Sequence, residues 1–115
     1  MSHTALVLVT STPPTQTQED NQRKVITWLQ AKKVSYKEVD AVQDKGVREE
    51  LTTISQLKGK YPQVFVTDNE SSTKFIGDFD AIQEMVELEG LDQEFLKNPD
   101  IASKTMKEIF KFCIP

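Results

Sequence analysis

Apolar positions divide the first part of the chain into strand and helix signals. Residues 4–10 form a nearly continuous run of apolar side chains, which is typical of a strand covered on both faces. Apolar residues then recur at helical spacing from about residue 17 to 33, with Trp28 interpreted as a core residue. Residues 34–40 roughly alternate apolar with polar, as a half-exposed strand does. This segment therefore predicts a strand, a helix and a strand.

The middle of the chain predicts a second helix followed by a hairpin. The helix should run from about Asp44 to Gly59, with an apolar stripe at helical spacing. The residues of this stripe are Val47, Leu51, Ile54 and Leu57. Two short apolar runs, 63–67 and 72–76, are separated by a polar turn of the kind that joins antiparallel strands.

Two further helices are predicted in the last third of the chain. One begins near Phe79 and stops at Gly90, and its apolar face consists of Phe79, Ile82, Met85 and Val86. A second amphipathic stripe follows Pro99 and consists of Ala102, Met106, Ile109, Phe110 and Cys113. Such a stripe usually packs on the parent sheet. Contact with a partner helix or with a second copy, giving a dimer, is the alternative.

The order of these elements predicts the fold class. A βαβ unit with a right-handed crossover is followed by a ββα unit, which is the thioredoxin-like plan. We therefore predict an α/β, thioredoxin-like fold with a four-stranded mixed sheet and an extra C-terminal helix. A chain of 115 residues is one domain by size. We assign residues 1–98 to this domain and 99–115 to a helical extension packed on or beside it.

Charge and hydropathy narrow the classes of partner. The chain carries 18 carboxylates against 14 lysines and arginines, and no basic face is visible, which argues against binding to nucleic acid. The opening run Ala5–Val9 is too short to span a membrane and has neither the basic flank nor the cleavage site of a secretory signal. We therefore expect a cytoplasmic protein without a membrane partner.

Cysteine and histidine are too few for most catalytic or metal sites. Cys113 is the only cysteine and His3 the only histidine, so one chain cannot form a disulfide, a two-thiol redox pair or a cysteine metal cluster. Zinc chemistry and nucleophilic catalysis by Ser-His or Cys-His are disfavoured for the same reason. Catalysis by lysine or carboxylate side chains is the alternative that these counts leave open. With the resemblance described below, we expect no enzyme activity, cofactor or metal. We interpret Cys113 as a small buried or passive side chain rather than a nucleophile.

Two short motifs mark a candidate binding edge. Pro62 opens an apolar strand, and because proline cannot donate to the ladder, it indicates a tight turn with either a cis or a trans Tyr61–Pro62 bond. Gly77-Asp78 reads as a strand-to-helix corner in which Asp78 caps the helix beginning at Phe79. The purely structural alternative is that Pro62 only shapes the turn and Asp78 only caps the helix.

These motifs resemble those of two related families. Pro62-Gln63-Val64 and Ile76-Gly77-Asp78 are similar to the strand start and corner of glutaredoxins, but no cysteine lies between Ser11 and Thr17, where glutaredoxins carry Cys-x-x-Cys or Cys-x-x-Ser. The SH3 domain-binding glutamic-acid-rich-like proteins also lack this cysteine. Leu8-Val9-Thr10-Ser11 of this chain resembles the corresponding segment of that family. The resemblance implies a thioredoxin fold without thiol–disulfide exchange. That family has several prolines before the strand, whereas this chain has one, so docking as a polyproline II ligand is not supported.

The resemblance also implies a set of ligand-binding residues, because glutaredoxins bind glutathione at the corresponding edge. The residues carried over are Lys58, Lys60, Tyr61, Pro62, Asp78, Phe79 and Asp80. The Tyr61–Pro62 turn would pair with the peptide backbone, the Asp78 corner would hold the carboxylate and amine end, and the two lysines would meet the other carboxylate. Asp78 replaces a glycine of the family and crowds this corner. Weak or absent glutathione binding is therefore expected.

Two functions of different classes follow from these observations. The first is a non-catalytic interaction or adaptor protein with a protein partner. The alternative is a weak glutathione-binding or vestigial redox protein. A noncatalytic domain of a longer chain is a third interpretation, and the sequence leaves the partner and the oligomeric state open.

Overall fold

The computed structural model describes residues 3–57, 59–68, 72–89, 97, 104–105 and 109–114. Within these residues, strands and helices follow the predicted order. Their bounds are β1 Thr4–Val9, α1 Gln16–Ala31, β2 Tyr36–Asp40, α2 Lys45–Ser55, β3 Gln63–Thr67, β4 Thr73–Asp78 and α3 Phe79–Glu89, followed by a 3₁₀-helical turn at Lys111–Cys113.

The four strands form one mixed sheet in the order β2-β1-β3-β4. β1 is parallel to β2 and antiparallel to β3, so Val7 lies between Glu38 and Val64. β3 and β4 are antiparallel, with a bulge between Val64 and Phe65. This is the thioredoxin-like arrangement, and the predicted fold class is confirmed.

The sheet is covered on both faces, which explains why β1 is almost entirely apolar. Alternate β1 residues point to opposite faces. Ala5 and Val7 face the core beneath α1 and α3, whereas Leu8 faces a smaller core beneath α2. Trp28 is partly buried at the margin of the larger core, where its ring stacks on Phe79 with 5.7 Å between the ring centroids.

Several predicted boundaries shift by one to three residues. Residues 34–35 were predicted as strand, but Lys33 adopts a left-handed conformation and the Val34 N–H donates to the Leu29 carbonyl, which closes α1 first. β1 ends at Val9 rather than at residue 10. β4 continues to Asp78, beyond the predicted residue 76, because the β3–β4 ladder extends to the Gln63–Asp78 pair.

The predicted apolar stripe of α2 is largely wrong. Val47 and Ile54 are 39% and 43% exposed, and the helix ends at Ser55, before Leu57. The buried side of α2 consists of Leu51 and Thr52. The Thr52 hydroxyl donates to the Arg48 carbonyl oxygen at 2.8 Å, so this polar side chain is satisfied where it faces the sheet. A prediction based only on apolar positions therefore assigns the wrong face of α2 to the interior.

The C-terminal segment packs against the larger core where it is described. Phe110 is fully buried and Cys113 is 2% exposed, and both belong to the core beneath α1 and α3. The Ser35 N–H donates to the Cys113 carbonyl oxygen at 2.7 Å, which ties this segment to the start of β2. Gly90 and the predicted stripe positions Ala102 and Met106 lie outside the described residues.

Candidate functional site

The predicted ligand-binding residues converge on a groove at one end of the sheet. The β3–β4 register pairs Gln63 with Asp78, so the turn before β3 lies beside the first residues of α3. A groove of about 190 Å³ lies between them. It is lined by Gln18, Asn21, Lys60, Tyr61, Pro62, Asp78, Phe79 and Asp80 and is called the Pro62 groove below. Six of the seven predicted residues therefore come together, and Lys58 lies outside the described residues.

The turn that carries Lys60, Tyr61 and Pro62 is held by the buried amide of Gln63. Gln63 is fully buried, and its Nε2 donates to the carbonyl oxygens of Leu57 at 2.6 Å and Lys60 at 2.7 Å. Pro62 is also buried, and the Tyr61–Pro62 peptide bond is cis. Gln63 therefore holds the segment that carries Lys60 and Tyr61 against the sheet, and leaves Tyr61 half-buried at the surface.

The opposite wall is the beginning of α3. Asp78 Oδ1 accepts a hydrogen bond from the Ala81 N–H at 3.1 Å, so the predicted cap is present. The first N–H groups of a helix have no partner within the helix and carry a partial positive charge. Phe79 and Asp80 are the first two residues of α3, and both line the groove. This wall therefore combines the positive end of a helix with the two carboxylates of Asp78 and Asp80.

The loop that carries the catalytic cysteine in glutaredoxins is sulfur-free and clamped by hydrogen bonds here. The Thr10 N–H donates to Gln22 Oε1 at 2.8 Å, and Gln22 Nε2 donates back to the Thr10 carbonyl oxygen at 3.2 Å. Thr15 Oγ1 accepts from the Gln18 N–H at 3.1 Å, so Thr15 is the N-cap of α1. These hydrogen bonds hold the start of α1 against the end of β1.

Asp40 ties the same loop to the end of β2. Its Oδ1 accepts from the N–H groups of Val42 at 2.9 Å and Ser11 at 3.2 Å. The Val42 hydrogen bond and, to a smaller degree, the Ser11 bonds hold the pKa of this carboxyl below its ordinary value, because they stabilise the ionised form. The ends of β1 and β2 are therefore joined by a carboxylate that remains charged over the neutral range.

The polar side chains contributed by α1 were missed by sequence reasoning. Gln22 could have been found, because it lies three residues before Val25 and seven before Leu29, on the face that both bury. A polar residue in such a stripe indicates a buried hydrogen bond. Gln18 and Asn21 carried no comparable signal, because their place in the groove depends on how α1 packs against the β3 turn.

The single cysteine lies at the other end of the sheet. The Cys113 carbonyl oxygen accepts from the Ser35 N–H, and the Ser35 carbonyl oxygen accepts from the Ala5 N–H at 2.9 Å, so Cys113 lies near Ala5 of β1. The Pro62 groove instead lies near Leu8, which pairs with Gln63. Three strand residues separate these points, a span of about 10 Å along β1. Burial raises the pKa of the Cys113 thiol. Cys113 is therefore a buried thiol remote from the Pro62 groove.

A comparison with known families decides the family. A family model described as SH3-binding, glutamic acid-rich protein matches residues 4–98. The chain belongs to the SH3-binding, glutamic acid-rich protein family. The part of this family member that matches includes all the described strands, the three α-helices and the Pro62 groove. The comparison with curated proteins gives no significant match.

The described residues of this SH3-binding, glutamic acid-rich family member contain neither a candidate metal site nor a membrane-spanning helix. Within them, no three histidine, cysteine or carboxylate side chains are grouped so as to hold a metal ion. No helix among them has the length and apolar content needed to cross a bilayer.

Proposed function

We propose that this chain is a cytoplasmic, non-catalytic interaction protein that binds a loop or tail of a partner protein in the Pro62 groove. The observation that carries the proposal is a docking groove without a thiol. The turn at Pro62 and the start of α3 form its two walls. The facing loop has no sulfur, and Cys113 is buried at the far end of β1. The family description names SH3 binding, which supports a protein as the partner.

The groove suits a short segment with both charge and backbone polarity. Its volume of about 190 Å³ fits one or two residues rather than a whole small-molecule cofactor. The N–H groups at the start of α3 favour a carboxylate, and Lys60 adds a positive charge. Asp78 and Asp80 favour a neighbouring amine or guanidinium. We therefore expect a partner segment that carries both signs of charge.

The binding test uses purified SH3 domains and the isotopically labelled chain. Amide shifts should saturate at Lys60, Tyr61, Phe79 and Asp80. Asp80→Lys should weaken binding about tenfold, because it reverses an exposed charge in the groove. Glu87→Lys, which makes the same charge change two turns further along α3, is the control and should bind normally. Equal binding by both variants, or shifts confined to other surfaces, would contradict the proposal.

The absence of catalysis is tested separately. We expect no reduction of a glutathione mixed disulfide above the rate without protein, because thiol exchange needs an accessible thiolate. Cys113→Ala should give the same result as the unmodified chain. Turnover that depends on Cys113 would refute the non-catalytic assignment and leave the binding result standing.

Weak glutathione binding is the second candidate function. The groove combines Lys60 with the start of α3, and these two features would hold the two carboxylates of this tripeptide. Titration calorimetry with reduced and oxidised glutathione distinguishes the two functions. The interaction-protein proposal expects a Kd of about 1 mM or weaker. A Kd near about 10 μM that Asp80→Lys abolishes would establish the second candidate instead.

A further inference from the structure

One edge of the sheet is open beside a second groove, away from the Pro62 groove. β2 is an edge strand, and its ladder to β1 includes the Ala5 N–H donating to Ser35 at 2.9 Å and the Ala41 N–H donating to Val9 at 2.7 Å. Parallel pairing uses alternate residues of a strand, so the N–H groups of Tyr36, Glu38 and Asp40 point to the outer edge. In the described part of the chain, no backbone segment pairs with this edge.

The second groove lies between this edge strand and α1 and is called the Glu38 groove. Its volume is about 610 Å³, three times that of the Pro62 groove. Val9 and Ile26 form apolar parts of its lining, while Glu19, Glu38 and Asp40 bring three carboxylates to it. Arg23 is the cation of this lining, and its guanidinium is already paired with Glu19 at 3.1 Å. The unbalanced charge is therefore negative and lies along β2.

We propose that the outer edge of β2 binds an extended, basic segment of a partner protein as a fifth strand. The outward N–H and C=O groups of Tyr36 and Glu38 would form the new ladder. Side chains of an added strand alternate between the two faces, so every second residue would lie over the Glu38 groove. Lysine or arginine at those positions pairs with Glu38 and Asp40, and the apolar stems lie on Val9 and Ile26.

Charge complementarity selects a basic peptide over a second copy of this chain. A two-fold symmetric antiparallel pairing of β2 with itself must be centred on one residue, because directly opposed residues share a face. Centring on Lys37 opposes two lysines, centring on Glu38 opposes two glutamates, and centring on Val39 opposes Glu38 to Asp40. Centring on Asp40 opposes two aspartates, and centring on Tyr36 opposes no like charges but overlaps the two strands by only one residue. Like charges directly opposite one another destabilise such pairs. The edge is therefore self-repelling and attracts a basic strand.

The first test uses a synthetic, end-capped heptapeptide of alternating lysine and valine, with glutamate replacing lysine in a control peptide. The lysine peptide should shift the amides of Tyr36 and Glu38 with a Kd between about 10 μM and 1 mM. Glu38→Lys, at an exposed position, should weaken binding about threefold to tenfold, and added salt should weaken it further. Asp80→Lys in the Pro62 groove should leave it unchanged. No binding up to about 1 mM, or equal binding of the glutamate peptide, overturns the proposal.

The second test separates strand pairing from charge attraction. Glu38→Ala removes only the carboxylate, whereas Glu38→Pro also removes the outward N–H and leaves the ladder to β1 intact. The proline variant should bind at least about threefold more weakly than the alanine variant. If it fails to fold, a peptide N-methylated at the pairing positions gives the same comparison on the unmodified chain. Equal binding of methylated and unmethylated peptides rules out a fifth strand.

Two further measurements on the free chain complete the test. The Glu38 amide should exchange rapidly with solvent, and sedimentation should show a monomer. Slow exchange of this amide would mean that the edge is already covered, and a dimer lost in Glu38→Pro would mean that a second copy occupies it. Either outcome overturns the proposal in favour of that occupant.

Discussion

At the scale of single residues, Gly77 has the clearest steric requirement. A Cβ at this position would lie 2.5 Å from the Ala81 Cβ, so α3 can start directly after β4 only over a glycine. Gly77→Ala should destabilise the fold by about 1–3 kcal/mol, because the first turn of α3 must shift. Gly46→Ala is the matched control, since an added Cβ would meet no atom within 4 Å beyond its chain neighbours and its own helix backbone, and it should stabilise α2 by up to about 1 kcal/mol. Urea unfolding of both variants measures this, and equal effects would contradict it.

Asp40 gives the chain a specific dependence on pH. Its pKa is lowered below the ordinary value of 3.8 in the folded state, chiefly by the Val42 N–H. A lowered pKa stabilises the fold above the pKa of the unfolded chain, and this contribution is lost as pH falls through the folded pKa. Asp40→Asn should therefore be less stable at neutral pH, and the difference should shrink on acidification below about pH 4. Thermal unfolding measured along this pH series checks it. A constant difference across the series would be inconsistent with this role.

At the scale of elements, the helices differ in how they begin. The side chains of Thr15 and Asp78 cap α1 and α3, whereas the N-cap residue of α2, Asp44, makes no side-chain cap hydrogen bond. Thr15→Ala and Asp78→Ala should each cost about 1 kcal/mol of unfolding free energy, and Asp44→Ala much less. Asp78→Asn should retain most of the stability, since an amide oxygen still accepts from Ala81. Chemical denaturation compares the four variants, and a large loss in Asp44→Ala would show that capping is not the cause.

The elements also show why some parts of the fold were predictable. β1 and β3 are apolar on both faces and flanked by turn residues, so their patterns clearly predict strands. The bounds of β3 agree with the predicted ones. α2 was misjudged because Thr52, a polar residue, faces the sheet, while Val47 and Ile54 face solvent. The hydrophobic pattern predicts the buried face of an element well where that face is wholly apolar. It fails where a buried hydroxyl donates to a carbonyl oxygen of its own helix.

At the scale of the whole molecule, the order of elements predicted the thioredoxin-like topology and therefore where the Pro62 groove lies. Pro62 and Asp78 meet because strand pairing brings the two motifs to the same end of the sheet. The α1 wall of that groove and the Glu38 groove were not predictable. They depend on how the side chains of α1 pack on the sheet, which one sequence pattern does not specify.

The position of the C-terminal segment gives a last prediction for the whole molecule. Cys113 and Phe110 lie in the larger core, so a thiol reagent can reach the sulfur only when this segment leaves the sheet. Labelling at about pH 8 should be slow in the native chain and fast in urea, because burial also raises the thiol pKa. Phe110→Ala, which removes about 3–5 kcal/mol of core packing, should speed native labelling at least tenfold. The exposed Lys37→Ala should label like the unmodified chain. If native and unfolded chains label at the same rate, the segment does not cover the thiol in solution.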